Sequence, residues 1–287
     1  MIPAQFDYVA PSTLEEALAA LGEHGDDAKI IAGGQSLLPV LRMRLNAPEL
    51  VIDLGRIDSL RGVRDDGDAL VIGAMTTHSD VVTDSLVREH ALLLSKAAAE
   101  VADNQIRHRG TFGGSLTHAD PAGDLGAVAL ALGCEMVVSG PAGERRLAAA
   151  DFFLDYLTTA LAPGELLTAV RVPKLGSGWF CHYEKFNRVA QAWSIVGVAA
   201  LVKLNGGTSI AEARVGLTNM GTTPLRATAT EAVLAGAPAS RDAVAAAASH
   251  AAEGTHAPSD LSGASDYREY LARVLTAKAV LAAIGNH

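Results

Sequence analysis

The stretch "KIIAGGQSLLPVLRMRL", Lys29–Leu45, runs from an apolar strand-like segment through a Gly-Gly pair into a helix-like segment. Pro39 fits that helix only in its first turn, where its missing N–H costs nothing. A near copy of the turn, "TFGGS", lies at Thr111–Ser115. The sequence has 28 glycines, so about three Gly-Gly pairs are expected from composition alone. Three are present, and the third, Gly206–Gly207 in "NGG", reads as a hairpin turn. By count, the first two are ordinary turns. By context, each precedes a helix and a serine, where glycine lets backbone N–H groups approach an anion. A non-Rossmann phosphate cradle and two structural turns both stay open on the residues. The fingerprint G-x-G-x-x-G is absent, and strands do not alternate with helices as a doubly wound sheet requires.

Working outward, "FDYVA" reads as a strand broken by Pro11. Ser12 with Glu15 reads as a capping box for the helix "TLEEALAALGEH", and "LVIDL" as a further strand ending near Asp53. A second segment offers the strand "ALVIGA" and one long helix, roughly 86–102. The polar loop "DNQIRHRGTFGGSLTHADPAGDL" comes next, long enough to argue for function. A buried helix "GAVALALG" and the strands "EMVVSG" and "LLTAVRVP" close that segment. After Gly176–Gly178 three antiparallel strands are expected, in "WFCHYEKFN", "WSIVGVAALVKL" and "SIAEARVGLTNM". Three helices complete the chain: Thr228–Leu234, one capped by Ser240 and one capped by Asp266.

Composition narrows the function classes. The net charge of −9 disfavours a nucleic-acid role. The two cysteines, Cys134 and Cys181, are far apart with no C-x-x-C, so iron–sulfur or cysteine-zinc ligation within this sequence is not expected. No signal peptide or transmembrane segment is expected. The expected location is the cytoplasm.

"KIIAGGQSLLPVLRMRLNAPELVIDL", "TFGGSLTHADPAGDL" and "EKFNRVAQAWSIVGVAA", in this order and spacing, resemble the FAD-binding medium subunits of the molybdenum hydroxylases, the xanthine dehydrogenase family. The resemblance covers almost the whole chain and is nearest to the aerobic carbon monoxide dehydrogenase branch. It implies an α+β fold. Residues 1–176 would form a two-part FAD-binding domain of the p-cresol methylhydroxylase (PCMH) type, subdivided near residue 57. Residues 177–287 would form a C-terminal domain of a three-stranded antiparallel sheet plus a helical bundle.

The resemblance also implies a cofactor site. Lys29, Ile30, Ile31, Ala32, Gly33, Gly34, Gln35 and Ser36 match the first FAD loop. Thr111, Phe112, Gly113, Gly114 and Ser115 match the second. Asp124 matches a carboxylate that binds sugar or ribityl hydroxyls, and Val101 and Leu167 match apolar or backbone contacts. Lys185 matches a lysine at the flavin's pyrimidine end, where it would tune the potential. Trp193 falls where the family has an aromatic, commonly Tyr, against the isoalloxazine. Read from the residues alone, a helix cap for Asp124, an exposed strand lysine for Lys185 and a core aromatic for Trp193 also stay open. His118 and Asp120 would stand behind the site, and Arg107–Arg109 would face the diphosphate, a partner or solvent. Gln35, Ser115 and Trp193 depart from the family's frequent His, Asn and Tyr; all three still donate hydrogen bonds.

The function so implied is electron transfer. A large subunit with a molybdopterin-type molybdenum cofactor would oxidise the substrate. [2Fe–2S] clusters of a small subunit would relay electrons to FAD in this chain, and an external acceptor such as a quinone would collect them. The complex would be an (LMS)2 heterohexamer, able to lie peripherally at the inner membrane face. The substrate reading is carbon monoxide; a heterocycle, purine or aldehyde is the alternative. A self-contained FAD reductase and a flavin-free interaction module are the alternatives of another class.

Overall fold

The computed structural model describes residues 2–285; Met1, Asn286 and His287, the outermost residues of the two expected domains, lie outside it. Three sheets of three or more strands follow one another along the described residues, with a fourth, two-stranded one inside the second segment. The first segment holds β1 (Asp7–Val9), α1 (Leu14–His24), β2 (Ala28–Ile31), α2 (Leu37–Arg42) and β3 (Leu50–Asp53). Its strands form a parallel sheet in the order β1-β3-β2. Helix α1 is capped one residue later than expected. Thr13, not Ser12, accepts from the Glu16 N–H, while Glu16 reaches back to the Ser12 N–H at 2.8 Å. The capping-box chemistry is kept with threonine in the serine's place.

The second segment adds β4 (Val63–Asp66), β5 (Ala69–Gly73), α3 (His78–Thr83), α4 (Ser85–His90), α5 (Leu92–Ala99), α6 (Asn104–Arg107), α7 (Phe112–His118), α8 (Asp124–Leu132), β6 (Glu135–Gly140), β7 (Gly143–Ala148), α9 (Ala149–Phe152), β8 (Phe153–Asp155), β9 (Thr158–Thr159) and β10 (Leu166–Pro173). Its five-stranded antiparallel sheet has the order β4-β5-β10-β6-β7. The single helix expected over 86–102 is instead the pair α4 and α5, preceded by α3. Asp84 ends α3 and caps α4 through the Leu86 and Val87 N–H groups. Ala91, with φ −139° and ψ 45°, breaks the run again. The expected long loop holds two short helices, because Asp103 caps α6 and Thr111 caps α7.

The third segment contains β11 (Trp179–Phe186), β12 (Val196–Asn205), β13 (Ser209–Thr218), β14 (Leu225–Arg226), α10 (Thr228–Leu234), α11 (Arg241–Ala248) and α12 (Ser265–Ala283). The three expected strands form an antiparallel sheet, and the two-residue β14 extends its edge. Gly206 and Gly207 turn the β12–β13 connection with φ of 59° and 78°, values that glycine adopts without strain. Asp266 does not cap α12: the cap is Ala264, and Asp266 sits in the first turn.

Strand β12 explains why its sequence is apolar without alternation. Ala199 and Leu201 face the core built by α5, α8 and the five-stranded sheet, whereas Val198, Ala200 and Val202 face the helices of the third segment. A strand buried on both faces needs no polar face. Helix α8 lies directly on β13, where a Cβ on Gly216 would stand 2.2 Å from the Ala127 carbonyl oxygen.

Candidate functional site

The two Gly-Gly loops, about eighty residues apart in sequence, touch. A Cβ on Gly33 would lie 2.2 Å from the Arg109 carbonyl oxygen, and one on Gly114 would lie 3.3 Å from the Ala32 Cβ. Glycine at 33 is therefore required by packing against the Arg109–Gly110 backbone, whereas at 114 the closer obstacle is Thr111 Oγ1 of its own loop, 2.7 Å from a Cβ. At 34 glycine is also required by the backbone, with φ of 76°.

The loops differ in what they leave free. The N–H groups of Gly33, Gly34, Gln35 and Ser36 meet no acceptor among the described residues. They form a run of backbone donors at the end of β2, the arrangement that receives an anion. The second loop was expected to offer free donors too, and it does not. Phe112 N–H donates to Thr76 O, Gly113 N–H to Ala74 O, Gly114 N–H to Thr111 Oγ1 and Ser115 N–H to Thr111 O. What remains there is the hydroxyl of Ser115 which, like that of Ser36, has no partner among the described residues. Phe112 is fully buried core. Lys29 turns its amine to the Asp26 carbonyl at the far end of β2, 3.4 Å away, and Ile30 and Ala32 pack on the first segment's core. Gln35 folds back onto the Gly33 carbonyl at 2.9 Å.

A buried charged cluster lies at the start of α8. Lys185 on β11 and Asp124 at the start of α8 pair at 2.8 Å, with side chains 3% and 4% exposed. The Asp124 side chain does not cap α8; Gly123 is the cap residue. One Asp124 oxygen accepts from the Tyr183 hydroxyl at 2.7 Å and the Ser194 hydroxyl at 2.6 Å, and the other accepts from Lys185. Lys185 also donates to the Glu100 carbonyl at 2.9 Å, beside Val101. Two of its three N–H groups are thus engaged, and the exposed strand lysine is excluded. Burial, and then the Asp124 charge, pushes the Tyr183 phenol well above its usual range. Sequence reasoning missed Tyr183 and Ser194; in β11 and after Trp193 they read as ordinary strand residues. Val101 and Leu167 both pack on the core that contains α8.

Trp193 is half exposed and is not a core aromatic. Its ring lies 6.2 Å from that of His118, and His118 stands 3.9 Å from Asp120. Trp193 borders a cavity of ≈ 480 Å³ whose wall also includes Asp120, Tyr156, His256 and Arg268. The basic run divides. Arg107 is tied to the Val101 and Ala102 carbonyls, His108 contacts Asn104 and Ser79, and Arg109 is exposed without a partner among the described residues. Beneath this run His78 is buried with Nδ1 unpartnered, and burial, helped by Arg107, holds its pKa down at about 4. Asp53 ends its strand as expected, accepting from the Gly55 N–H and the Tyr8 hydroxyl.

Comparisons with known proteins identify the family and the fold. Residues 4–175 match the family described as the FAD binding domain in molybdopterin dehydrogenase, and residues 181–283 match the CO dehydrogenase flavoprotein C-terminal domain. The chain is 39% identical to the carbon monoxide dehydrogenase medium chain of Hydrogenophaga pseudoflava, over 99% of this chain and 98% of that one. It is 36% identical to the 6-hydroxypseudooxynicotine dehydrogenase complex subunit alpha of Paenarthrobacter nicotinovorans, over 99% and 96%. The solved carbon monoxide dehydrogenase of Hydrogenophaga pseudoflava superposes with a TM-score of 0.96 at 40% identity, over 100% of this chain and 99% of that one. By sequence and by fold, the chain belongs to the FAD-binding flavoprotein subunits of the molybdenum hydroxylases, a family of oxidoreductases.

Proposed function

We propose that this chain carries electrons from the [2Fe–2S] clusters of a small partner subunit, through FAD, to an external acceptor such as a quinone. In this reading residues 1–176 form the cofactor domain and residues 177–287 close it, within an (LMS)2 heterohexamer whose large subunit holds the molybdenum cofactor. The observation that carries the reading is the run of four free backbone donors at Gly33–Ser36 lying against the second Gly-Gly loop. A diphosphate needs such donors, and a chain of net charge −9 can supply them without cationic side chains. The hydroxyls of Ser36 and Ser115 complete the cradle, and the exposed Arg109 stands at its rim.

When bound, FAD supplies the redox chemistry. The chain's residues orient it. Lys185, held by Asp124 and the Glu100 carbonyl, would offer its third N–H to the flavin's pyrimidine end, and Val101 and Leu167 would shape the apolar surroundings. Trp193 limits access, with the ≈ 480 Å³ cavity beside it as the approach for an acceptor. The substrate we favour is carbon monoxide. A heterocycle is the second reading, because the 6-hydroxypseudooxynicotine dehydrogenase subunit is almost as similar as the carbon monoxide dehydrogenase one, at 36% against 39% identity.

Two measurements test this. The purified chain, given FAD and desalted, should retain flavin absorbance bands; their absence would defeat the cofactor reading. The native complex should contain molybdenum and reduce a dye when supplied with carbon monoxide. Turnover with a heterocycle and none with carbon monoxide would replace the first substrate by the second.

A further inference from the structure

The reading above uses Asp124 and Lys185 and leaves three buried residues around them without a role. We propose that Tyr183, Ser194 and Gly197 are positioning residues that set how much of the Lys185 charge reaches the flavin. The inference rests on the proposed FAD site.

Both hydroxyl donors converge on the same oxygen of Asp124, and Lys185 holds the opposite one. Tyr183 is 5% and Ser194 1% exposed, so water does not substitute for either. Gly197 pairs with Lys185 across β11 and β12. A Cβ there would stand 2.6 Å from the Tyr183 hydroxyl, so the missing side chain is the notch that lets this phenol reach Asp124. Ser194 is fixed in turn. Its carbonyl accepts from Asn219 Nδ2 at 2.7 Å, and the Asn219 N–H donates to the Pro121 carbonyl at 2.8 Å, in the segment that leads into α8.

The consequence is electrostatic. In a buried site two hydroxyl donors spread and stabilise the Asp124 charge. Without them that charge is neutralised by Lys185 alone, and less of the lysine's field remains for a ligand. Reduced flavin tends to carry negative charge at its pyrimidine end, so losing a donor disfavours reduction and lowers the midpoint potential.

The test is a spectroelectrochemical titration of the FAD-loaded full chain as wild type, Tyr183→Phe, Gly197→Ala and the double variant, with Ser194→Ala and Ser194→Thr beside them. Tyr183→Phe and Gly197→Ala remove the same hydrogen bond by different means. Each should weaken binding of reduced relative to oxidised FAD about tenfold, or ~30 mV for a two-electron couple. The double variant should move no further than either single one. Ser194→Ala should shift the potential in the same direction, and Ser194→Thr should restore it. Flavin bands retained at the wild-type potential in both Tyr183→Phe and Gly197→Ala would overturn the proposal and leave the FAD reading standing. If Gly197→Ala does not fold, near-isosteric Tyr183→Phe decides alone. A wild-type chain that binds no FAD would remove both.

Discussion

Lys185 and Asp124 neutralise each other inside the protein, so each is costly to lose singly. Removing one partner of a buried ion pair costs about 3–5 kcal/mol, because the other charge stays behind without its counter-ion. Lys185→Met should lose stability on that scale in urea denaturation, and Lys185→Met with Asp124→Asn should recover most of it. Equal losses in the single and double variants would mean that the pair contributes nothing as a pair. At this scale the sequence was half legible. The loops' glycines, Asp124 and Lys185 could be singled out, since their residue types and order carry the family's pattern. What they bond to could not. Tyr183 and Ser194 are chosen by where β11 and the residue after Trp193 meet α8, and that depends on contacts about sixty and seventy residues apart. The second Gly-Gly loop misled for a related reason: two of its N–H groups are taken by Ala74 and Thr76, just past the end of a different strand, and two by Thr111, the cap of its own helix.

The residues that open α3 and α7 meet. His78 opens α3, its N–H donates to the Gly110 carbonyl, and Thr77 bridges to Thr111. Its imidazole is neutral in the fold, with a pKa of about 4 against the usual 6.5. The fold therefore disfavours the proton that the unfolded chain accepts. The His78 contribution is complete above about pH 6.5 and is lost as pH falls towards 4, by about 3 kcal/mol in all. Urea titrations at pH 7 and pH 4 of wild type and His78→Gln check this. The stability difference between them should shrink by about that amount, and a difference that does not change with pH would absolve His78. Among the elements, the apolar strands were legible because their runs are bounded by Gly, Pro and Asp; the polar edge strands β4 and β7, largely exposed, have no apolar run and were missed. The breaks between α3, α4 and α5 were not. Asp84 and Ala91 sit in a helix-friendly composition, and only the side-chain cap and the local backbone stop the helix. Likewise α6 and α7 are too short for periodicity to announce them.

Across the whole molecule the order of segments was readable from the change of character at Gly176–Gly178, and the shared core was not. β12 is apolar and buried from Val196 to Val202 because it belongs to two cores at once, a condition that no local window reveals. The halves matched by two different family descriptions thus share one strand as a wall, and the buried Lys185–Asp124 pair ties them again. The connecting residues Gly176, Ser177 and Gly178 are exposed, with little to protect them from a protease. A single cut there should leave two fragments that co-elute on gel filtration and keep bound FAD, separating only in denaturant. Fragments that part in native buffer would show that the covalent link, and not β12, holds the halves together. The linker is then expendable and the wall is not: a chain broken at its thinnest point should still behave as one body.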